Sequence, residues 1–153
     1  MQLALPVMPH TGGSLVEKGS SVRRVLSSFL LVVAWLVPAG VLVQAWLAGE
    51  ALFVTPDLFV LHGGVGHGVL TLSVIAAGLA WTQRRARGAA ILATLAVVAL
   101  VGQTGLGYAG RRGGIVEASA WHVPLGVGVL GLTVAVAVLL SVRMRQSSAA
   151  PAG

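Results

Sequence analysis

Four long stretches of this chain contain no Asp, Glu, Lys or Arg, and they constrain the fold more than any other feature of the sequence. The stretches are Val25–Gly49, Leu58–Gln83, Gly88–Gly110 and Ala118–Val142. Each is longer than the roughly 20 residues that an α-helix needs to cross about 30 Å of hydrocarbon, and lipid admits only helices or closed barrels. The sequence therefore predicts four transmembrane helices. Their predicted bounds are about 25–48, 58–82, 89–109 and 119–142.

The composition fits a chain that lies mainly in a membrane. Hydrophobic residues make up 56 % of the sequence and charged residues 9 %, and the mean hydropathy is +0.92. These values are far from those of a typical water-soluble domain. The net charge is +6, but the basic residues flank the apolar stretches, where they act as topology signals. We therefore expect the lipid bilayer, and no nucleic acid, as a partner.

The distribution of basic residues predicts how the chain is oriented. Eight of them fall on one side of the predicted helices: Lys18, Arg23, Arg24, Arg84, Arg85, Arg87, Arg143 and Arg145. Only Arg111 and Arg112 fall on the other side. The positive-inside rule then places both termini in the cytoplasm and the chain in the cell's inner (plasma) membrane, as a multi-pass protein. Residues 1–22 and 146–153 are predicted to be flexible cytoplasmic tails around a transmembrane domain of residues 23–145.

The second and fourth predicted helices nearly repeat one another. Leu61-His62 corresponds to Trp121-His122, Gly66 to Gly126, and Gly68-Val69-Leu70 to Gly128-Val129-Leu130. In the helices before them, Gln44 corresponds to Gln103, and each begins a Gln-x-x-Leu sequence. Such repeats are typical of membrane proteins whose halves are related about the membrane normal. The predicted fold is all-α, an integral membrane four-helix bundle built from two repeated helical hairpins.

The histidines at equivalent depth in the two hairpins predict a shared ligand. Histidine inside a membrane segment is costly and usually functional, and the absence of cysteine excludes thiolate sites and covalent heme attachment. We predict that His62 and His122 ligate the iron of one heme b. His67 is the other candidate in the second helix, but five residues correspond to a rotation of about 140°. His62 is preferred because it has a repeat partner, and His67 would then hydrogen-bond in the bundle or lie under the porphyrin edge.

Nearby residues suggest how a heme would be accommodated. Gly66 and Gly126 are predicted to clear space for the macrocycle, although glycines with the Gly64-x-x-x-Gly68 spacing also suit close helix packing. Arg111 and Arg112 are predicted to bind the heme propionates through paired hydrogen bonds. The alternative is that both are solvated loop charges. Pro124 is expected to help set where the fourth helix begins.

These motifs resemble one four-helix half of the heme A synthase family, whose full-length members join two such halves. The similarity rests on a helix with Gln-x-x-Leu-Gly, an outer loop, and a histidine near the start of the next helix. Gln103-Thr104-Gly105-Leu106-Gly107 with His122 is the clearer match, and Gln44 with His62 is the weaker one. The resemblance covers about residues 41–141. It implies a heme held between His62 and His122.

The chain departs from that family where the family's chemistry is carried out. Members have an acidic residue one turn before the histidine of a catalytic half and an arginine after it, whereas Phe59 and Gly63 flank His62 in this way. Glu117 is the nearest acid before His122, Val123 follows it, and the family's outer cysteine pair is missing. The resemblance thus implies the heme-binding scaffold without the oxidation of a heme methyl group, and leaves open whether the chain is an enzyme.

Two functions follow from the sequence. The first is a membrane heme b protein that transfers electrons or serves as an oxidoreductase subunit. The second is a cofactor-free membrane subunit or assembly factor that docks another membrane protein through Gly-rich helices. Either function is compatible with a homodimer or a larger membrane complex, and neither identifies a redox partner.

Overall fold

A computed structural model describes residues 13–83 and 86–149, which form four helices. They are α1 (Gly13–Phe53), α2 (Leu58–Thr82), α3 (Arg87–Gly113) and α4 (Val116–Ala149). All four are long and apolar enough to cross a membrane. The predicted all-α integral membrane four-helix bundle is therefore confirmed.

The helices are longer than the predicted membrane spans. The helix α2 covers the same residues as predicted, but α1 begins at Gly13 and α4 continues to Ala149, within stretches predicted to be tails. Residues 1–12 and 150–153 of those tails lie outside the described residues. A helix is not obliged to end where the hydrocarbon ends, since water and headgroups also accept its polar side chains.

Two features at the end of the bundle that holds the histidines differ from the prediction. Arg111 and Arg112 occupy the last turn of α3 rather than a loop, and Gly114, with φ of 66°, ends that helix. Their charge is favourable there because cations stabilise the negative end of a helix dipole. Pro124 was wrongly expected to set the start of the fourth helix. Since α4 begins at Val116, this proline lies inside it.

The helices are arranged as two hairpins. The most extensive contacts are α1 with α2 and α3 with α4, while α2 also packs against α3 and α1 against α4. The helices α2 and α4 therefore face one another across a diagonal of the bundle. Their buried positions repeat as the sequence does: Val69, Ser73, Ala76, Ala77 and Ala80 in α2, and Val129, Thr133, Val136, Ala137 and Leu140 in α4.

The two ends of the bundle are packed differently. The end with the chain termini, here the terminus end, has a core rich in alanine, which lets helix backbones approach closely. A smaller cluster at mid-height consists of Val37, Val69, Leu100 and Val129. At the opposite end, here the histidine end, the buried hydrophobic residues of the described chain are few: Leu47, Ala51 and Ala118. The buried apolar core of the described chain is thus concentrated at the terminus end and at mid-height.

Candidate functional site

His62 on α2 and His122 on α4 meet across the bundle diagonal. Their ring centroids lie 6.3 Å apart, and the ring planes are inclined by 60°. The Nδ1 atom of His62 lies 3.1 Å from the carbonyl oxygen of Gln44, and the Nδ1 atom of His122 lies 2.9 Å from that of Gln103. A carbonyl oxygen only accepts, so each Nδ1–H donates. Each Nε2 is then left with a lone pair that can bind a metal.

The separation of the rings suits two axial ligands of one iron. An imidazole nitrogen binds a metal at about 2 Å, and it lies roughly 1 Å from its ring centroid, so two opposed rings are about 6 Å apart. The observed 6.3 Å agrees with this value. Metal-binding histidines also characteristically donate the other ring N–H to a carbonyl or carboxylate oxygen. Both rings here do so, with backbone carbonyl oxygens from the neighbouring helix of the same hairpin.

The ligand set suits a heme better than a bare metal ion. Within residues 13–83 and 86–149, no group of three or more His, Asp or Glu side chains comes together to hold a metal. Two imidazoles alone would leave most coordination positions of a bare ion open. A porphyrin supplies four nitrogens, so a heme needs the protein to provide only the axial ligands.

The two glutamines fix the helices that carry the histidines. The Gln44 amide nitrogen donates to the carbonyl oxygen of His62 at 2.7 Å, so these residues are joined by two hydrogen bonds. A Cβ atom added at Gly66 would lie 2.6 Å from that amide nitrogen, and one added at Gly126 would lie 2.9 Å from the amide nitrogen of Gln103. The structure therefore places Gly66 and Gly126 against glutamine amides. The side-chain oxygens of both glutamines are buried without a hydrogen-bond partner in the described chain.

His67 is separate from this pair. Its Nδ1 donates to the carbonyl oxygen of Gly63 at 2.8 Å, and its Nε2 lies 3.2 Å from the hydroxyl of Tyr108 on α3. The ring is exposed on the outside of the bundle. Both ring nitrogens thus have partners, and His62, not His67, is the α2 histidine opposite His122. The pairing of His67 with Tyr108 is not predictable from the sequence, because nothing in the sequence relates a position in α2 to one in α3.

Arg111 and Arg112 contact different parts of the histidine end. The guanidinium carbon of Arg111 lies 4.6 Å from the ring centroid of Phe59, which in turn makes an edge contact with His62 at 6.3 Å between centroids. The guanidinium carbon of Arg112 lies 4.7 Å from the ring centroid of Tyr108. Arg111 therefore borders the His62–His122 pair, whereas Arg112 borders the His67–Tyr108 pair.

Other glycines show where the histidine end is crowded and where it is open. A Cβ atom at Gly107 would lie 3.1 Å from Cε1 of His122, so only glycine leaves that ring undisturbed. Added Cβ atoms at Gly64 and Gly68 would meet nothing within 4 Å. The spacing of these two glycines therefore does not serve helix packing within the described chain.

The comparison with known families gives one match. Residues 44–109 match the model of a family described as a family of unknown function (DUF6220). The matched stretch is less than half of the chain; it includes His62 and Gln103 and ends before His122. No curated protein and no solved structure matches the chain. The matched family is not heme A synthase, so that resemblance stays a prediction.

Proposed function

We propose that this chain is a small integral membrane protein that binds one heme b between His62 and His122. The observation that carries the proposal is the neighbouring pair of imidazoles, with ring centroids 6.3 Å apart, whose Nδ1–H groups both donate to backbone carbonyl oxygens. Because each Nδ1–H is donated to a carbonyl oxygen, both Nε2 lone pairs are available to bind the iron, and each ring is held in its orientation.

Electron transfer is the activity that this ligand set supports. With His62 and His122 both bound to it, a heme iron would have no open position for oxygen or a substrate. No acidic residue lies one turn before either histidine, since Phe59 and Ser119 occupy positions three residues before His62 and His122. We therefore propose an electron carrier or the heme subunit of a larger oxidoreductase.

A cofactor-free docking subunit is the second candidate function. It is favoured by the uncovered glycines Gly64 and Gly68 on α2, which have open space around them and the spacing of a helix-pairing motif. In that case His62 and His122 would serve only to bind the helices of each hairpin together through the Gln44 and Gln103 carbonyl oxygens.

The absorption spectrum and the heme content of the purified protein distinguish the two functions. For the heme protein we expect a Soret band and sharp reduced α and β bands. His62→Ala and His122→Ala should each lose most of the heme, because each removes one of two protein bonds to the iron. His67→Ala is the matched control and should keep the heme. A fully helical but colourless wild-type protein would leave only the docking function.

Rescue of a histidine variant by free imidazole tests whether His122 is a ligand of the iron. His122→Gly leaves space for a free imidazole beside Gln103, so added imidazole should restore the low-spin spectrum. Circular dichroism would show that the variant has kept its helices. Full heme occupancy in His122→Gly without imidazole would contradict the assignment.

We propose that the histidine end faces away from the cytoplasm, in the plasma membrane, with both termini cytoplasmic. The support is the excess of basic residues at the terminus end. Reporter fusions after Ser148 and within residues 113–117 should report opposite sides of the membrane. Reports from the same side would contradict the four-span topology, and exchanged sides would reverse the orientation.

A further inference from the structure

A groove of about 780 Å³ opens between α1 and α4 at the terminus end of the bundle. That volume is within the range of sites that hold small molecules, roughly 300–1,000 Å³. The contact between α1 and α4 is also the least extensive of the four contacts between neighbouring helices. The side chains that line this α1–α4 groove include Leu31, Trp35, Val138, Ser141, Val142 and Arg145.

The groove follows from the way the chain connects its helices. At the terminus end, residues 83–86 join α2 to α3, whereas α1 and α4 extend separately toward the two chain termini. Both seams contain a hydrogen bond from an indole to a hydroxyl: Trp35 donates to Ser141 at 3.2 Å, and Trp81 donates to Thr94 at 3.1 Å. The seam between α2 and α3 is thus an internal reference, with the same kind of bond but a chain connection beside it.

Two arginines lie at the outer part of the groove. Arg145 lines it and is exposed. Arg24 is also exposed, and it lies seven residues before Leu31 and eleven before Trp35, which places all three on one face of α1. Both arginines flank the uncharged stretches of their helices, at the level where lipid phosphates meet the hydrocarbon. Their guanidinium groups are therefore placed to meet phosphate.

The deeper part of the groove is apolar. Ser141 is four residues before Arg145, so its hydrogen bond with Trp35 lies about 6 Å further into the membrane. That bond uses the indole N–H, and Trp35 consequently offers the groove apolar surface and no donor. Val138 and Val142 are each 45 % exposed beside it. A ligand of this groove must carry a polar group at one end and hydrocarbon at the other.

The charge around the groove indicates that the polar group is an anion. Eight of the ten basic residues belong to the terminus end. Of the four acidic residues, Glu50, Asp57 and Glu117 belong to the histidine end, and Glu17 is the one acid that precedes the first uncharged stretch. Positive charge beside an apolar groove, on the side that the basic residues predict to be cytoplasmic, is the combination that attracts anionic lipid.

We propose that the α1–α4 groove binds one anionic glycerophospholipid from the adjacent leaflet. Its phosphate accepts paired hydrogen bonds from Arg145, Arg24 adds positive charge, and an acyl chain follows Trp35 and Val138. A zwitterionic phospholipid has the same phosphate but carries a cation beside it, which the arginines repel. The groove contains none of the proposed heme ligands, so this site is independent of heme binding.

Quenching of Trp35 fluorescence by phospholipids brominated on their acyl chains tests the proposal. The chain has four tryptophans, so the other three are replaced by Phe, and the protein is placed in vesicles containing brominated phosphatidylglycerol or brominated phosphatidylcholine. We expect phosphatidylglycerol to bind beside Trp35 at least roughly fivefold more tightly, because each arginine near the surface contributes about that factor. Comparing two lipids in one protein cancels any constant quenching by heme.

Two nearby arginines distinguish a site from general attraction. Arg145→Gln should lose most of the preference for phosphatidylglycerol. Arg143→Gln is the matched control, because it removes the same charge on the same helix while its guanidinium lies toward α3, 3.9 Å from a Cβ atom added at Gly88. It should keep the preference. Val138→Phe fills the groove without changing the charge and should reduce quenching by both lipids. Circular dichroism shows whether each variant keeps its helices.

A protein with Trp81 as its single tryptophan provides the reference for the other seam. Trp81 has the same kind of hydrogen bond, and Arg84 and Arg85 follow it in the sequence. It therefore reports the general attraction of anionic lipid to basic residues. We expect its preference for phosphatidylglycerol to be clearly smaller than that of Trp35.

Three results would overturn the proposal. Equal preferences at Trp35 and Trp81 would show general attraction to the terminus end. Equal losses in Arg145→Gln and Arg143→Gln would show an effect of net charge and not of a site. Quenching of Trp35 by neither lipid would show that protein, such as a second copy of the chain, covers the groove. Each result leaves the heme proposal intact, since heme content is measured separately.

Discussion

The two helical hairpins share a scaffold but differ in detail around their histidines. In both, a histidine donates from Nδ1 to the carbonyl oxygen of a glutamine on the preceding helix. Only in the first hairpin does the glutamine amide also bind the histidine carbonyl oxygen, in the Gln44–His62 pair. Only in the second does a glycine, Gly107, lie against the histidine ring. Its repeat counterpart is Ala48.

The shared features and the differences have different meanings. Each hairpin contributes one imidazole whose Nδ1–H is donated to a glutamine carbonyl oxygen. This shared feature suits a ligand that is held between the two hairpins. What only one hairpin or seam has, such as the His67–Tyr108 pair, gives the bundle one distinguishable side.

The largest expected effect concerns the glycine found only in the second hairpin. Gly107→Val adds a branched side chain where even a Cβ atom would lie 3.1 Å from the His122 ring. The ring must then turn away from His62, and we expect heme affinity to fall about 10- to 100-fold, as for other changes that displace a metal ligand. Heme content per polypeptide, measured as the pyridine hemochrome, checks the expectation.

Gly105→Val is the matched control for that variant. Gly105 is on the same helix, and an added Cβ atom there meets nothing within 4 Å. Its heme content should equal that of the wild type. Equal heme loss in both variants would indicate that valine disturbs α3 as a whole, and the comparison between the hairpins would lose its basis.

An intermediate effect on stability is expected from substitution of the two glycines that lie against the glutamine side chains. Gly66→Ala forces a methyl group against the Gln44 amide, whose hydrogen bond to His62 holds it in place, and should destabilise the bundle by about 1–3 kcal/mol. Gly126→Ala should cost less, because the described chain shows no such bond from the Gln103 amide to the His122 carbonyl oxygen. The free energy of unfolding in mixed micelles, from SDS titration, checks both values.

The open glycines provide the reference for this series. Gly64→Ala has no neighbour to disturb, and alanine in a helix is favoured over glycine by roughly 0.5–1 kcal/mol. It should therefore be neutral or slightly stabilising. If Gly64→Ala destabilised the protein as much as Gly66→Ala, the close contact with Gln44 would not be the cause.

The smallest effect is expected from the arginines at the histidine end. Arg111 borders the His62 side through Phe59, so Arg111→Gln should lower the midpoint potential of the proposed heme by on the order of tens of millivolts at low salt, since removing positive charge favours the oxidised form. Arg112→Gln, beside Tyr108, should change it less. Redox titration at two ionic strengths distinguishes these values. A larger shift in Arg112→Gln would place a propionate near Tyr108 instead.

The sequence alone determined the fold class and the depth of the two histidines along their helices. The absence of charge over four stretches and the length of each leave lipid-spanning helices as the solution. The repeat of Leu61-His62 as Trp121-His122 predicts that both histidines lie at the same depth, because equivalent positions in two repeated hairpins lie at the same height along the bundle. These conclusions rest on distance along the chain, which a sequence states directly.

The tertiary structure decided which faces of the helices meet. In a membrane the outer surface of a helix is as apolar as its packed surface, so hydrophobic periodicity does not reveal its rotation about its own axis. For that reason the sequence ranked His62 above His67 only through the repeat, and it gave no sign that His67 would bind Tyr108. The approach of His62 to His122 and the choice of the Gln44 and Gln103 carbonyl oxygens as partners depend on helix rotation, which only packing between the helices fixes.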